Sequence, residues 1–222
     1  MEHQQNQREW AGYGQTDPGL VRTTNQDSFL VDNRRRLWAV ADGMGGHPGG
    51  EVASRLVVDI LADFAPTLCR SIDSAHNHAE QQGRFLLTTM AEQAHTAVRS
   101  HAERNRAVYG MGTTLVMAHL LPLSHPRLLV LNVGDSRAYL IRADTIIQLT
   151  RDHTLLEDSI RDGRLTPAQA AHHPDRHVLT RAMGVGPTLE SDLFSSDLQN
   201  GDLLLLCSDG LTTMLTDEEI LN

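Results

Sequence analysis

The chain has 222 residues and a formal charge of −9, from 19 basic and 28 acidic side chains. Every basic residue is arginine, which excludes chemistry that needs a lysine: a Walker phosphate loop, a kinase strand lysine or a Schiff base. At 40% hydrophobic and 21% charged, the composition is that of a globular chain able to bury a core without disulfides. The longest apolar runs, such as 203–207, fall far short of the ~18 residues of a membrane span, as does 128–131. Residues 1–9 are polar, lack the apolar core of a secretion signal, and are expected to be a disordered tail. Cys69 and Cys207 have neither metal-like nor redox-like spacing and suit a reducing cytoplasm. The acidic balance gives no reason to expect nucleic acid.

In chain order, residues 12–17 and 28–32 read as short strands around a loop at 16–26. Residues 37–41 form a compact apolar run ending at Asp42-Gly43, too short for a helix and bounded by turn residues. Residues 51–64 carry Val52, Leu56 and Ile60 at four-residue spacing, one apolar helical face, with Pro66 expected to follow its end. A second helix is expected over about 79–105. Phe85, Thr88, Glu92 and His95 are placed on one side of it; Leu86, Met90, Ala94 and Val98 on the other. Strands return at 113–121, 127–133, 138–142 and 146–149. Residues 151–187 are polar and His-rich and read as an inserted flap, with a short helix starting at Thr166-Pro167. Strands at 189–193 and 202–207 follow, then a helix at 216–221 opened by a Thr216-to-Glu219 capping box. Short strand-to-strand links mean antiparallel pairing, and helices on such sheets make an α+β fold.

The chemistry lies in aspartates on turns. Asp27 (Asn25-Gln26-Asp27-Ser28), Asp42 (Ala41-Asp42-Gly43-Met44-Gly45-Gly46-His47), Asp135 (Gly134-Asp135-Ser136-Arg137) and Asp209 (Ser208-Asp209-Gly210) sit at strand ends. An isolated Asp-Gly is usually only a turn. Apolar strands leading into three such carboxylates are better explained by a shared hard cation. Mg²⁺ and its kin take oxygen ligands and keep several waters, and a glycine lets a backbone carbonyl turn inward.

Taken in order, Thr16-Asp17-x-Gly19-x-x-Arg22-x-x-Asn25-x-Asp27, Asp42-Gly43-Met44-Gly45-Gly46-His47-x-x-Gly50-Glu51, Gly112-Thr113-Thr114, Gly134-Asp135-Ser136-Arg137 and Ser208-Asp209-Gly210-Leu211 resemble the metal-dependent (type 2C) Ser/Thr protein phosphatases in their bacterial form. The stretches Leu149-Thr150-Arg151-Asp152-His153 and His173-Pro174-x-x-x-Val178-Leu179-Thr180-Arg181 are similar to that family too. The resemblance covers about residues 10–222 as one catalytic domain, with the flap at about 151–187. It implies a four-layer α-β-β-α sandwich, two antiparallel sheets flanked by helix pairs. It also implies two catalytic Mn²⁺ or Mg²⁺ ions, with a weaker third. Asp42 matches the carboxylate bridging the two metals, and the Gly43 carbonyl a ligand of the second. Asp209 matches a ligand of the first, and Asp135 with Asp209 matches the third site. Asp27 matches an acid held near the second metal. Arg22 matches the arginine that grips the substrate phosphate, a task suited to a planar guanidinium fork.

The implied reaction is hydrolysis of phosphoserine or phosphothreonine by hydroxide from a water bridging the metals, attacking phosphorus in line with the leaving oxygen. Asp42 and Arg22 are the expected catalytic residues. The expected partners are phosphorylated proteins, above all a cognate Ser/Thr kinase and its targets, with no nucleic acid and no membrane. A cytoplasmic monomer is expected. Some positions depart from the family. Gln26 stands where many members have Glu, and Met44 where the animal form has a His proposed as general acid. Neither His47 nor His153 is assigned that role, and Pro174 argues against a helical zinc pair of His173 and His177. The family's last helix, and its strand with an Asp-Asn motif, have no match here. That gap keeps a second reading open, a pseudophosphatase or phosphoprotein-binding module with an incomplete metal site.

Overall fold

The computed structural model describes residues 10–44, 49–75, 78–121, 123–170 and 173–222. The expected tail at 1–9 lies outside them. The order is β1 (Asp27–Asp32), β2 (Leu37–Asp42), α1 (Gly50–Ala75), α2 (Ala79–Arg104), β3 (Leu115–Leu121), β4 (Arg127–Val133), β5 (Arg137–Arg142) and β6 (Thr145–Gln148). Then come α3 (Leu155–Arg161), α4 (Pro167–Ala170), β7 (Asp192–Asp197), β8 (Leu203–Cys207), α5 (Asp209–Thr212) and α6 (Asp217–Leu221). One sheet runs β1-β2-β3-β4-β7 and the other β6-β5-β8, with every pairing antiparallel. Among the described residues no helix is long and apolar enough to cross a membrane.

The side-chain period of two along each strand divides the core. On β3, Leu115, Met117 and Leu121 join the cluster under α1 and α2, while Val116, Ala118 and Leu120 join the cluster between the sheets. On β4 the same split separates Leu129, Leu131 and Val133 from Leu128 and Val130. Both strands are buried on both faces, as a strand covered on two sides must be. On β2, Leu37, Ala39 and Ala41 face the helices, and Trp38 and Val40 pack toward the second sheet. Asp42 continues the Trp38–Val40 series, so its carboxyl is delivered to the gap between the sheets.

Helices α1 and α2 pack on each other and cover the five-stranded sheet, and α6 meets β6 beside the three-stranded one. This is the expected α+β sandwich. The Thr216–Glu219 capping box is present in full, its two halves closing reciprocally. Thr166 and Gln169 trade similar bonds at the start of α4.

Four expectations are corrected. Residues 12–17 are irregular, not a strand. They are tethered instead by Asn33, which accepts from Gly12 N at 2.7 Å and from Trp38 Nε1 at 3.0 Å. Helix α1 does not end before Pro66 but runs on to Ala75. Leu61, Ala65, Leu68 and Ile72 continue one buried stripe along it, and burial of that stripe outweighs the hydrogen bond lost at the proline. On α2, His95 is buried with Met90, Ala94 and Val98, not set opposite them. Strand β7 begins at Asp192, three residues later than expected. Its sequence, Asp-Leu-Phe-Ser-Ser-Asp, is secured by side-chain bonds as much as by burial. Arg84 Nη2 donates to Ser195 Oγ at 2.9 Å, and Arg127 Nη1 to Asp197 Oδ1 at 2.8 Å.

Pro66→Ala restores the missing N–H inside α1. Chemical denaturation is expected to show stabilisation by about 2 kcal/mol, the interior-proline cost less the entropy that proline removes from the unfolded chain. A destabilised variant would show that the proline shapes α1 rather than straining it.

Candidate active site

Strand ends bring the predicted carboxylates together. Asp27 and Asp42 are direct cross-strand partners in the β1–β2 pair. Like charges placed so are mutually destabilising. The carboxyls of Asp27 and Asp209 both lie within hydrogen-bonding reach of Asp42, and Asp209 also acts on Asp135. Burial, then Asp27 and Asp209, push the Asp42 carboxyl up to about 9. Burial, then Asp209 and Asp152, push Asp135 up to about 7.

Local structure fixes each of them. Asn25 Oδ1 accepts from the Asp27 amide at 3.0 Å, and Ser208 Oγ donates to Asp27 Oδ2 at 2.8 Å, joining the two sheets. The Gln26 carbonyl accepts from both Gly43 N at 3.0 Å and Ser54 Oγ at 2.6 Å. The Asp42 amide donates to Thr114 Oγ1 at 3.0 Å, and its carbonyl accepts from Thr114 N and Thr113 Oγ1, each at 2.8 Å. Thr114 Oγ1 in turn meets Ser136 Oγ at 2.6 Å, one residue past Asp135. Gly43 has to be glycine because a Cβ there would strike the Gly50 backbone at the start of α1. Gly134 has φ +101° and would press a Cβ onto Thr114.

Arg22 lies on the exposed 16–26 loop, where its Nη1 donates to Gln26 Oε1 at 3.2 Å. Gln26, the departure from the family's Glu, therefore supplies a neutral rest for the guanidinium. His47 lies outside the described residues, as does His172. His153 is buried with both ring nitrogens engaged, Nδ1 by Gly134 N at 3.1 Å and Nε2 beside Asp192 at 3.3 Å. His173 Nδ1 accepts from the Asp175 amide at 3.2 Å, while His177 Nδ1 stands 3.7 Å from Asp209 Oδ2.

Sequence reasoning attached no role to Thr114, Ser136, Ser208 or Asn132. Each sits beside or within a motif, and that adjacency was the available signal. Asp152, in the stretch similar to the family, is held by Arg137 through three contacts of 2.7–3.1 Å and by Gln148 at 3.0 Å.

The donor set fits a hard divalent cation. It is all oxygen, it is carboxylate-rich, and its members repel one another until positive charge arrives. Among the described residues no three His, Cys, Asp or Glu side chains stand grouped as a ready metal-binding set. A hard divalent ion that keeps several waters needs fewer protein ligands than a structural zinc, which is closed by four.

A family model described as Protein phosphatase 2C matches residues 21–222. The serine/threonine phosphatase stp of Listeria innocua is 38% identical over 208 residues, covering 92% of this chain and 79% of that protein. Among solved structures, the serine/threonine phosphatase PstP/Ppp of Mycobacterium tuberculosis superposes with a TM-score of 0.74 at 37% identity, over 93% of this chain and 81% of that one. The catalytic domain of PstP in complex with two manganese ions gives 0.73 at 35% identity, over 93% and 80%.

In protein treated with chelator, the raised pKa of Asp42 has a definite sign. A carboxyl whose folded pKa exceeds its unfolded value, about 3.9, stabilises the fold at low pH and loses that contribution as pH rises toward about 9. Asp42→Asn cannot ionise. Its melting temperature is expected to pull ahead of wild type as pH is raised across that window. Parallel curves would contradict the assigned crowding.

Proposed function

The chain belongs to the protein phosphatase 2C family, and from that premise we propose how its own residues serve a metal-dependent protein serine/threonine phosphatase. The observation that carries the assignment is the convergence of Asp27, Asp42 and Asp209, with Asp135 beside Asp209, on the gap between the sheets. Asp42, Asp209 and the Gly43 carbonyl would hold the two catalytic Mn²⁺ or Mg²⁺ ions, with Asp27 close by. Asp135 and Asp209 would hold a third. Bound there, the ions supply positive charge to phosphoryl oxygens and lower the pKa of water.

The protein's contribution is placement. Asp42 is clamped through its own backbone by Thr113 and Thr114, so its carboxyl does not follow a loop. Arg22 rests on Gln26, and among the described residues no carboxylate pairs with it. A guanidinium held by a neutral amide loses little when it turns to the two oxygens of a phosphate. The serine or threonine phosphate is thus gripped from the loop side while the aspartates hold the opposing positive charge.

The substrate is a phosphorylated protein, and a Ser/Thr kinase with its targets is the partner we propose. The chain is taken to work as a cytoplasmic monomer. Residues 151–187, with α3 and α4, would form a flap over the site and select among substrates, because loops carried on a rigid scaffold hold specificity.

Hydrolysis of a phosphothreonine peptide is expected to require Mn²⁺ or Mg²⁺ and to stop with chelator. Asp42→Asn and Asp209→Asn should each lower turnover by about 100-fold or more, and Arg22→Ala should lower kcat/KM by about 100-fold. Turnover that persists without metal would refute the assignment. Metal-bound protein that takes up phosphopeptide without hydrolysing it would favour the pseudophosphatase.

A further inference from the structure

The 151–187 excursion is pinned to the carboxylate site through one buried histidine. Its two legs pair as a short stem. Leu155 N donates to the Val178 carbonyl and Thr180 N to the His153 carbonyl, both at 2.9 Å, and Thr154 bridges Leu179. His153 stands at the foot of that stem and is 3% exposed. It makes a reciprocal pair with Gly134, the residue before Asp135. The His153 amide donates to the Gly134 carbonyl at 2.9 Å, and the Gly134 amide donates to His153 Nδ1 at 3.1 Å. Asn132 Nδ2 donates to the same Gly134 carbonyl at 3.2 Å and to the Arg151 carbonyl at 2.9 Å, so the stem foot and the Asp135 turn share one anchor.

Accepting at Nδ1 fixes the tautomer, because a neutral imidazole then carries its proton on Nε2. That nitrogen faces Asp192 Oδ2 at 3.3 Å, with Arg181 Nη1 at 3.2 Å. Arg181 is itself bound to Asp192 Oδ1 at 2.8 Å and lies 3.4 Å from Glu190. Asp192 thus occupies the Nε2 side as an acceptor and keeps the other nitrogen bare for Gly134. Burial lowers the imidazole pKa, against the opposing pull of the Asp192 hydrogen bond and with Arg181 adding to the lowering.

We propose that His153 is a positioning residue for the Asp135 carboxylate, through which the set of the 151–187 stem reaches the cation site shared by Asp135 and Asp209. The proposal rests on the assignment of that pair as cation-holding. It distinguishes the two faces of one ring. The Nδ1 face orients Asp135 through Gly134. The Nε2 face is held by Asp192 and Arg181 at the point where the stem returns to β7.

Titration calorimetry of the full chain with Mn²⁺ separates the two faces. Asp135→Asn should remove one binding step. His153→Gln keeps a donor for Asp192 but withdraws the acceptor from Gly134. It should weaken the same step by about 10-fold, the scale on which outer partners of ligands act. His153→Asn sets an amide oxygen where Nδ1 stood and should restore the step. Asp192→Ala leaves Arg181 facing Nε2 and favours the tautomer protonated at Nδ1, which cannot accept from Gly134. It too should weaken the step, and it serves as the test if His153→Gln does not fold. Equal effects of Gln and Asn, or no effect of either, would overturn the proposal. So would an unchanged step in Asp192→Ala. If Asp135→Asn leaves every Mn²⁺ step intact, the cation-site assignment itself fails and this inference falls with it.

Discussion

Crowding among a few half-buried carboxylates governs this molecule. Asp27 and Asp42 face each other across β1 and β2, and Asp209 reaches Asp42 from the end of β8. No isolated sheet would choose that pairing. It persists because the strands carrying it are committed elsewhere. Ala39 and Ala41 are packed under α1, and Val116 and Val130 fill the space between the sheets; hydroxyls of Thr113 and Thr114 hold the Asp42 backbone, Ser136 meets Thr114, and Ser208 holds the Asp27 carboxylate. The fold crowds carboxyl groups at one point, which resists their ionisation, and a cation is what relieves it.

The same logic explains the division of charged residues. Several arginines are bound into ion pairs that fasten elements, as Arg127 fastens β4 to β7 and Arg142 fastens β5 to Asp202. Arg137 is spent on Asp152. Arg22 instead leans on a neutral amide, which suits a group reserved for a phosphate. With no lysine in the chain, arginine carries every fixed positive charge, and its planar fork is the better match to phosphoryl oxygens.

Much of this is legible in the amino-acid sequence alone. Short continuous apolar runs mark β2, β3, β4 and β8, and the aspartates at the ends of β2, β4 and β8 point to cation chemistry. The Thr216–Glu219 box is readable because it is purely local. What escapes the sequence is tertiary. Pro66 looks like a stop, yet Leu68 and Ile72 continue the buried stripe that keeps α1 going. The Asp-Leu-Phe-Ser-Ser-Asp strand lacks an apolar pattern because ion pairs and serine hydroxyls secure its outer face. His95 and His153 look alike in sequence to any surface histidine. Their burial, and the backbone amides of Gly184 and Gly134 that they accept, arise from segments far away in the chain. Motif residues without charge, such as Thr114 and Ser208, give no chemical signal, since orienting a carboxylate needs only a hydroxyl at the right distance.

The most direct measurement is the anomalous scattering of a crystal grown with Mn²⁺. The account predicts manganese in the gap between the sheets, within direct or water-bridged reach of Asp42 and Asp209, with a weaker peak beside Asp135. Manganese bound elsewhere, for instance at His173 and His177 with Asp42 left without an ion, would contradict it.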